Sequence, residues 1–279
     1  MNSIQEKRLI KEKYSLYYYT AGNPNLETLV FIHPAYGDHT CFHHQVEAFV
    51  EDYHLIFVDM LGHGKSQVPM GGDTIEKTAD LVVEILEKEG HKQAHLVGVS
   101  LGSLMAQYIA HKYPERVKSV TVTGGYSIFG DNSKISKAQN REIIKAIFLI
   151  VFWMEGFRRY VVINTIIVPS EQDVFYQAMK NFTRKSLPVI SGMGKILDKS
   201  PQTLIQPLLI MIGDHDQPVL LENAKIWQKR EPKSSLRIIP EAGHCANMDN
   251  PTEFNRELST FLEMSRNDPV CRSDNVARR

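Results

Sequence analysis

Short apolar runs alternate along the chain with stretches whose apolar residues recur at helical spacing. The runs are continuous, which is typical of strands buried on both faces of a parallel sheet. We predict six such strands, at 29–32, 54–58, 95–99, 117–123, 208–212 and 236–239. The stretches between them predict helices, the clearest at 74–86, 101–113, 219–230 and 252–264. This alternation predicts an α/β fold in which helices cover both faces of the sheet.

Two segments depart from the alternation. Residues 8–20 predict two antiparallel strands that precede the first parallel strand, which makes eight strands in all. Residues 127–206 are rich in helical pattern and far longer than the usual connection of about 2–6 residues between a helix and a strand. We therefore predict a core of residues 1–126 and 207–266 with an inserted helical cap, 127–206. Residues 267–279 have little apolar content and are predicted to be disordered.

The composition narrows the class of protein. Lys plus Arg and Asp plus Glu both number 32, so the net charge is zero, which argues against a nucleic-acid binder and a polybasic membrane-surface protein. The longest apolar run, 146–154, is too short to span a bilayer. With no secretory signal apparent, we expect a cytoplasmic protein without stable membrane insertion. We interpret the apolar patches 146–154 and 161–168 as cap packing and pocket lining, with membrane or dimer docking as the alternative.

The motif Gly98-Val99-Ser100-Leu101-Gly102 carries the strongest chemical signal. A predicted buried strand precedes Ser100 and a predicted helix follows it directly, which is the setting of a nucleophile elbow. The glycines allow close backbone packing, and the helix start favours developing negative charge near the hydroxyl. A serine that only caps its helix is the alternative interpretation. We predict that Ser100 is a nucleophile.

A serine nucleophile requires a base and a carboxylate that orients the base. His244 follows the predicted strand at 236–239, so its loop can reach the elbow. Asp216 follows the strand at 208–212, and Asp214 is the alternative acid in the same loop. The chain order Ser, Asp, His is that of α/β-hydrolases. We predict Ser100, Asp216 and His244 as the catalytic residues.

An oxyanion hole requires two backbone N–H groups. Leu101, which follows the nucleophile, is one predicted donor. The other is expected in the loop after the first parallel strand, residues 33–37. Pro34 has no N–H group, so Ala35 is the preferred donor and Tyr36 is the alternative.

The chain resembles the α/β-hydrolase superfamily, in the branch of small esterase-like and meta-cleavage-product-hydrolase-like enzymes with a helical cap. The matching segments lie at 31–33, 59–66, 98–102, 213–216, 243–244 and 250–254. The resemblance implies a mostly parallel eight-stranded sheet and assigns the acid to Asp216. It implies a structural role for the turn at 62–66. The family usually has Gly at the position of Pro34, but its oxyanion donor still corresponds to Ala35.

These observations predict a serine hydrolase of a small to medium carboxylic ester or lactone. A hydrolase of carbon–carbon bonds in a diketone-type substrate is one alternative, for which Arg158, Arg159 and Arg184 are candidate carboxylate ligands. A non-catalytic ligand sensor of the same fold is the other alternative. The expected partner is a small-molecule substrate, and the sequence leaves the oligomeric state open.

We expect neither a cofactor nor a metal. The sequence has no G-x-G-x-x-G motif for a dinucleotide. Two local pairs, 38–39 and 43–44, contain histidines, but adjacent side chains such as His43 and His44 are expected to diverge on a helix. Three cysteines, Cys41, Cys245 and Cys271, do not have the spacing of a zinc site or a disulfide framework. We interpret Cys245 as a small packed residue.

Overall fold

The computed structural model describes residues 4–267, in which eight strands form a single sheet. The strands in chain order are β1 (Gln5–Ile10), β2 (Ser15–Ala21), β3 (Thr28–Ile32), β4 (His54–Val58), β5 (Ala94–Val99), β6 (Val117–Thr123), β7 (Leu208–Gly213) and β8 (Ser234–Ile239). Their order across the sheet is β1-β2-β4-β3-β5-β6-β7-β8. The pairs β1–β2 and β2–β4 are antiparallel, and the other neighbouring pairs are parallel. The predicted mostly parallel eight-stranded fold is confirmed.

Helices flank this sheet and fill the connection between β6 and β7. They are α1 (His43–Phe49), α2 (Thr78–Lys88), α3 (Leu101–Lys112), α4 (Ser133–Phe152), α5 (Met154–Thr165), α6 (Pro169–Ala178), α7 (Leu187–Ile190), α8 (Pro218–Arg230), α9 (Ala246–Asp249) and α10 (Pro251–Asn267). Apolar side chains of α2, α3 and α8 pack on one face of the sheet. Those of α1 and α10 pack on the other face. Both faces are therefore covered, as the continuous apolar strands require.

The sequence located the central strands well because their apolar runs are unbroken. Every residue of β3, β4, β5 and β7 is buried. The predicted helix at 74–86 begins as a 3₁₀ turn, Ile75–Lys77, before α2. Helix α1 was not predicted, since its seven residues make only two turns. Short helices of this kind depend on tertiary packing more than on their own pattern.

The inserted segment between β6 and β7 contains α4, α5, α6 and α7. Its two ends meet at a parallel bridge between Phe129 and Asp198, where Gly130 N–H donates to the Asp198 carbonyl at 2.9 Å. Ile150 of α4 is buried, whereas Phe148 and Phe152 are 60% and 71% exposed. Only one face of the predicted apolar patch is therefore packed.

Two further sequence predictions concern the chain's end and membranes. The predicted disordered tail begins at Asn267, which ends α10 here, and residues 268–279 lie outside the described part. No helix between residues 4 and 267 is long and apolar enough to cross a bilayer.

The turn at 62–66 has a structural role in this fold. Gly64 has φ +47°, and a Cβ there would lie 2.0 Å from Oδ2 of the buried Asp59. The hydroxyl of Ser66 accepts a hydrogen bond from Tyr17 N–H at 2.8 Å. The turn thus joins the loop after β4 to β2.

Candidate active site

Ser100 lies in a strained turn between β5 and α3. Its backbone has φ +53°, a left-handed conformation that is uncommon for residues other than glycine. The flanking glycines explain how the turn is accommodated: a Cβ on Gly98 would lie 2.2 Å from the Gly102 carbonyl oxygen, and one on Gly102 would lie 1.9 Å from that of Ile32. Ser100 N–H donates to the Thr123 carbonyl at 2.7 Å, which anchors the turn to β6. The hydroxyl is thereby presented at the carboxyl edge of the sheet.

The structure brings Ser100, His244 and Asp216 together. His244 Nε2 lies 2.8 Å from Ser100 Oγ, and His244 Nδ1 lies 3.0 and 3.1 Å from the two carboxylate oxygens of Asp216. A carboxylate only accepts, so Nδ1–H donates to Asp216 and the Nε2 lone pair faces the serine hydroxyl. The tautomer required of a general base follows directly.

Burial and charge act in opposite directions on His244. Burial alone would lower the pKa of the imidazole, but the nearby charge of Asp216 and its hydrogen bond outweigh it and raise the pKa above its ordinary value. Asp216 is itself buried, with 1% of its side chain exposed. The imidazolium form is therefore stabilised, as a base that takes up a proton requires.

Asp214, the alternative acid, points elsewhere. Its Oδ1 accepts a hydrogen bond from Ala242 N–H at 3.1 Å and pairs with Nδ1 of the exposed His215 at 2.7 Å. Of the two aspartates, only Asp216 contacts His244 among the described residues.

The predicted oxyanion donors line the same cavity as Ser100 and His244. Ala35 follows Pro34 in the loop after β3, and Leu101 is the first residue of α3. Within residues 4–267, neither backbone N–H donates a hydrogen bond to another protein group. Tyr36, the alternative donor, has φ +70° and packs its ring against Phe157 and Phe182 of the inserted segment.

The cavity above the serine has a volume of about 260 Å³. Its walls come from the core and from helices α4, α5 and α6, and most of them are apolar, among them Leu104, Ala146, Val161 and Phe175. Such a space accepts a small, largely apolar group beside the hydroxyl.

Comparison with known proteins identifies the family. A family model described as the alpha/beta hydrolase fold matches residues 27–165. A structure of a thermophilic esterase from Thermogutta terrifontis, bound to malate, superposes with a TM-score of 0.79 at 20% identity and covers 94% of this chain and 99% of its own. The chain belongs to the α/β-hydrolase superfamily. The predicted resemblance is confirmed at this level.

Two curated relatives of this α/β-hydrolase differ in the activity that their names give. One is the dihydrolipoyllysine-residue acetyltransferase component of the acetoin cleaving system of Cupriavidus necator, 25% identical over 85% of this chain. This chain spans 63% of that relative's length. The other is a 2-hydroxy-6-oxononadienedioate/2-hydroxy-6-oxononatrienedioate hydrolase from a Pseudomonas species, 26% identical over 89% of this chain and 92% of its own.

Sequence reasoning missed the residues of this α/β-hydrolase that hold His244 in place. Gly124, after β6, has φ +60°, and a Cβ there would lie 2.5 Å from the His244 carbonyl oxygen and 3.0 Å from Nδ1. His244 N–H donates to the Thr165 carbonyl of α5 at 3.1 Å. In the sequence, the Gly124-Gly125 pair after a buried strand was the available signal for the close approach of Gly124 to His244. The second depends on the position of the inserted segment, which the sequence does not give.

Asp249 also joins the histidine loop to the inserted segment. Its Oδ2 accepts a hydrogen bond from Gly243 N–H at 2.9 Å. Its Oδ1 accepts from Ile167 N–H at 2.9 Å and from Val168 N–H at 3.0 Å. One carboxylate therefore fixes the residue before His244 and the connection between α5 and α6.

The three candidate arginines do not line the cavity. Arg158 donates to the carbonyls of residues 179, 180 and 182, Arg159 pairs with Glu155, and Arg184 donates to the Val151 carbonyl. The cavity lining instead includes Glu142, an exposed residue of α4 whose carboxylate contacts the hydroxyl of Tyr160.

The expectation that His43 and His44 diverge is wrong. Their ring centroids lie 3.9 Å apart, and both Nε2 atoms face Glu171 of α6. His43 begins α1, and its ring turns back so that Nδ1 lies 3.1 Å from the Thr40 carbonyl oxygen. The other local pair has a structural role, because Asp38 caps the following turn and His39 contacts Asp59.

Cys245, beside His244, is fully buried, and burial raises the pKa of its thiol well above the ordinary value. A thiol held protonated in this way is a packed side chain rather than a nucleophile.

Proposed function

We propose that this α/β-hydrolase is a serine hydrolase that acts on a small to medium carboxylic ester or lactone through an acyl-enzyme. The observation that carries the proposal is the continuous contact from Ser100 Oγ through His244 to Asp216. The enzyme is a hydrolase by its superfamily, and the hydrolase and esterase named above support that class. The identity of the nucleophile, base and acid is our proposal.

The reaction begins with attack of Ser100 Oγ on the substrate carbonyl carbon while the hydroxyl proton passes to His244 Nε2. The carbonyl oxygen becomes an oxyanion, which the backbone N–H groups of Leu101 and Ala35 stabilise. Each such donor contributes about 10²–10³-fold to the rate in serine hydrolases. His244 then returns the proton to the leaving alcohol oxygen as the carbon–oxygen bond breaks. Asp216 keeps Nδ1 protonated and stabilises the transient imidazolium.

Deacylation repeats these steps with water. A water molecule gives a proton to His244 Nε2 and attacks the acyl carbon, and the collapsing intermediate returns the proton to Ser100 Oγ. The acid product leaves, and the enzyme is restored. No group beyond these residues is needed to balance the proton transfers.

The cavity favours a neutral substrate over a dicarboxylate. Glu142 places an acidic group in its wall, and the candidate arginines contact other groups. We also propose that residues 127–206 act as the cap, since α4, α5 and α6 supply cavity walls. The Pseudomonas relative's name favours carbon–carbon hydrolysis as the second candidate, but Glu142 argues against its doubly charged substrate.

The test is hydrolysis of p-nitrophenyl acetate and butyrate, and of a simple lactone, by wild type and Ser100→Ala. Loss of turnover in Ser100→Ala, together with fluorophosphonate labelling of Ser100, is the expected result. Ser265→Ala is the matched control, because among residues 4–267 that hydroxyl bonds only within α10, to the Phe261 carbonyl. Equal turnover in wild type and Ser100→Ala refutes the proposal. Turnover of a dicarboxylate ring-fission product at rates above the esters selects the second candidate, and absence of both turnover and labelling selects a sensor.

A further inference from the structure

A cluster outside the proposed active site joins the core to the inserted segment. It consists of His43 and His44 at the start of α1 and Glu171 in the first turn of α6. One ligand atom from each lies within 4.8 Å of the other two. Because Glu171 lies 127 residues after His44, the group is invisible in the sequence.

The protonation pattern of His43 leaves an unbalanced contact. Nδ1 lies 3.1 Å from the Thr40 carbonyl oxygen, which only accepts, so Nδ1 carries the proton. In the neutral ring, Nε2 then has a lone pair, and it faces Glu171 Oε2 at 3.4 Å. That oxygen is buried and, among the described residues, lacks a hydrogen-bond partner. Either a proton or a metal ion between these two electron-rich atoms would make the contact favourable.

The contact distances are compatible with a shared divalent transition metal. Zinc bonds of about 2.0–2.2 Å to imidazole nitrogen and carboxylate oxygen, arranged tetrahedrally, hold neighbouring ligand atoms about 3.3–3.6 Å apart. His43 Nε2 lies 3.4 Å from Glu171 Oε2, and His44 Nε2 lies 3.1 Å from the other carboxylate oxygen, Oε1, a distance at which a hydrogen bond also forms. The bond from His43 Nδ1–H to a backbone carbonyl is the type of contact that orients metal-ligating histidines.

We propose that His43, His44 and Glu171 form a binding site for one Zn²⁺-class divalent metal ion. Both histidine side chains are about one-third exposed, at 37% and 35%, so solvent can complete the coordination. The site lies beside the proposed active site, because α6 also carries Phe175 of the cavity wall. Metal binding therefore ties the inserted segment to the core next to the substrate.

The experiment measures metal binding and not catalysis, so its outcome is independent of the proposed function. Metal-free full-length protein is titrated with Zn²⁺ by equilibrium dialysis and with Co²⁺ by visible absorption. Wild type is expected to bind one ion per chain, to give the intense d–d bands of a tetrahedral Co²⁺ site, and to show a Zn²⁺-dependent increase in Tm.

Three variants locate the ion. Glu171→Gln and His43→Ala are expected to weaken Zn²⁺ binding by about tenfold or more. Removal of a group that only hydrogen-bonds to a metal ligand already lowers metal affinity by about tenfold, and these variants change the ligands themselves. His215→Ala, which removes an exposed histidine paired with Asp214, is expected to bind as wild type does. Circular dichroism checks that each variant is folded. Binding that is absent in wild type, which leaves a proton between His43 and Glu171, overturns the proposal, as does binding that the first two variants leave unchanged.

Discussion

Gly102 lies directly against Ile32: a Cβ on Gly102 would be 1.9 Å from the Ile32 carbonyl oxygen. The first turn of α3 thus packs on the carboxyl end of β3 with no space for a side chain. Both contacting groups are backbone, so neither can rotate away. This contact sets the position of Ser100 relative to the loop that contains Ala35.

Gly102→Ala is expected to destabilise the fold by about 3 kcal/mol or more, because backbone must shift to admit the methyl group. Urea unfolding followed by circular dichroism measures the change. Gly194→Ala is the control: a Cβ at that position meets no atom within 4 Å, and its effect is expected to stay within about 0.5 kcal/mol. If the two variants unfold at the same urea concentration, Gly102 is not packed as tightly as the structure indicates.

Asp216→Asn is expected to reduce kcat by roughly 10⁴-fold, because an amide no longer selects the His244 tautomer that accepts the serine proton. Asp214→Asn is expected to retain nearly full activity, since that side chain contacts Ala242 and His215. Steady-state hydrolysis of p-nitrophenyl butyrate measures both. A larger loss in Asp214→Asn than in Asp216→Asn reverses the assignment of the acid.

The raised pKa of His244 predicts the acid limb of the pH profile. The base acts only when neutral, so kcat/KM is expected to fall as pH decreases through this pKa, with a midpoint above 6.5, the ordinary value. Loss of the Asp216 charge should move the midpoint down. Residual kcat/KM of Asp216→Asn, measured across pH, checks this shift, and a midpoint that rises in the variant contradicts it.

The raised pKa of His244 also makes the stability of the fold depend on pH, but the contribution to stability falls as pH rises, whereas kcat/KM increases. A histidine whose pKa is higher in the folded state stabilises the fold fully below its unfolded pKa, and this contribution is lost as pH rises through the folded pKa. The free energy of unfolding of wild type minus that of His244→Gln is therefore expected to shrink as pH rises from about 6.5, the ordinary histidine pKa, through the higher pKa of the folded state. Urea unfolding of both proteins at several pH values measures the difference, and a difference that grows with pH refutes the prediction.

Asp249→Ala is expected to lower stability by about 2–3 kcal/mol, because it leaves the N–H groups of Gly243, Ile167 and Val168 without their acceptor. It is also expected to lower kcat, since the loop before His244 loses its anchor. Asp249→Asn keeps one acceptor oxygen, so we expect it to lose less stability and less kcat than Asp249→Ala does. Asp173→Ala, at an exposed position of α6, is the control. Unfolding by urea and the split between kcat and KM measure these effects.

The sequence predicts those parts of the fold and site that depend on local pattern. The central strands follow from unbroken apolar runs, and Ser100 follows from a strand–turn–helix motif within five residues. His244 and Asp216 were predictable because each follows a recognisable strand and strand ends share one edge. The catalytic roles of these residues stay predictions. Ala35 was distinguished from Pro34 by the missing N–H group of proline, and the resemblance to the family implies the same donor.

The rest depends on contacts between distant segments. Glu171 meets His43 and His44 only because α6 packs on the turn before α1, and no periodicity encodes that contact. The same holds for Asp249 and for those walls of the cavity that come from three helices of the inserted segment. The arginines were assigned from charge without position, and their backbone contacts show why charge was insufficient.

The hydrogen bond from His244 N–H to the Thr165 carbonyl has a consequence for protein engineering. The segment that we propose as the cap, residues 127–206, is not an independent module in this respect, because its Thr165 carbonyl accepts a hydrogen bond from the main chain of the proposed base itself. A chimera that grafts another enzyme's lid onto this scaffold must reproduce that acceptor in space. Otherwise, changing which molecules enter the pocket will also disturb the imidazole that acts on them.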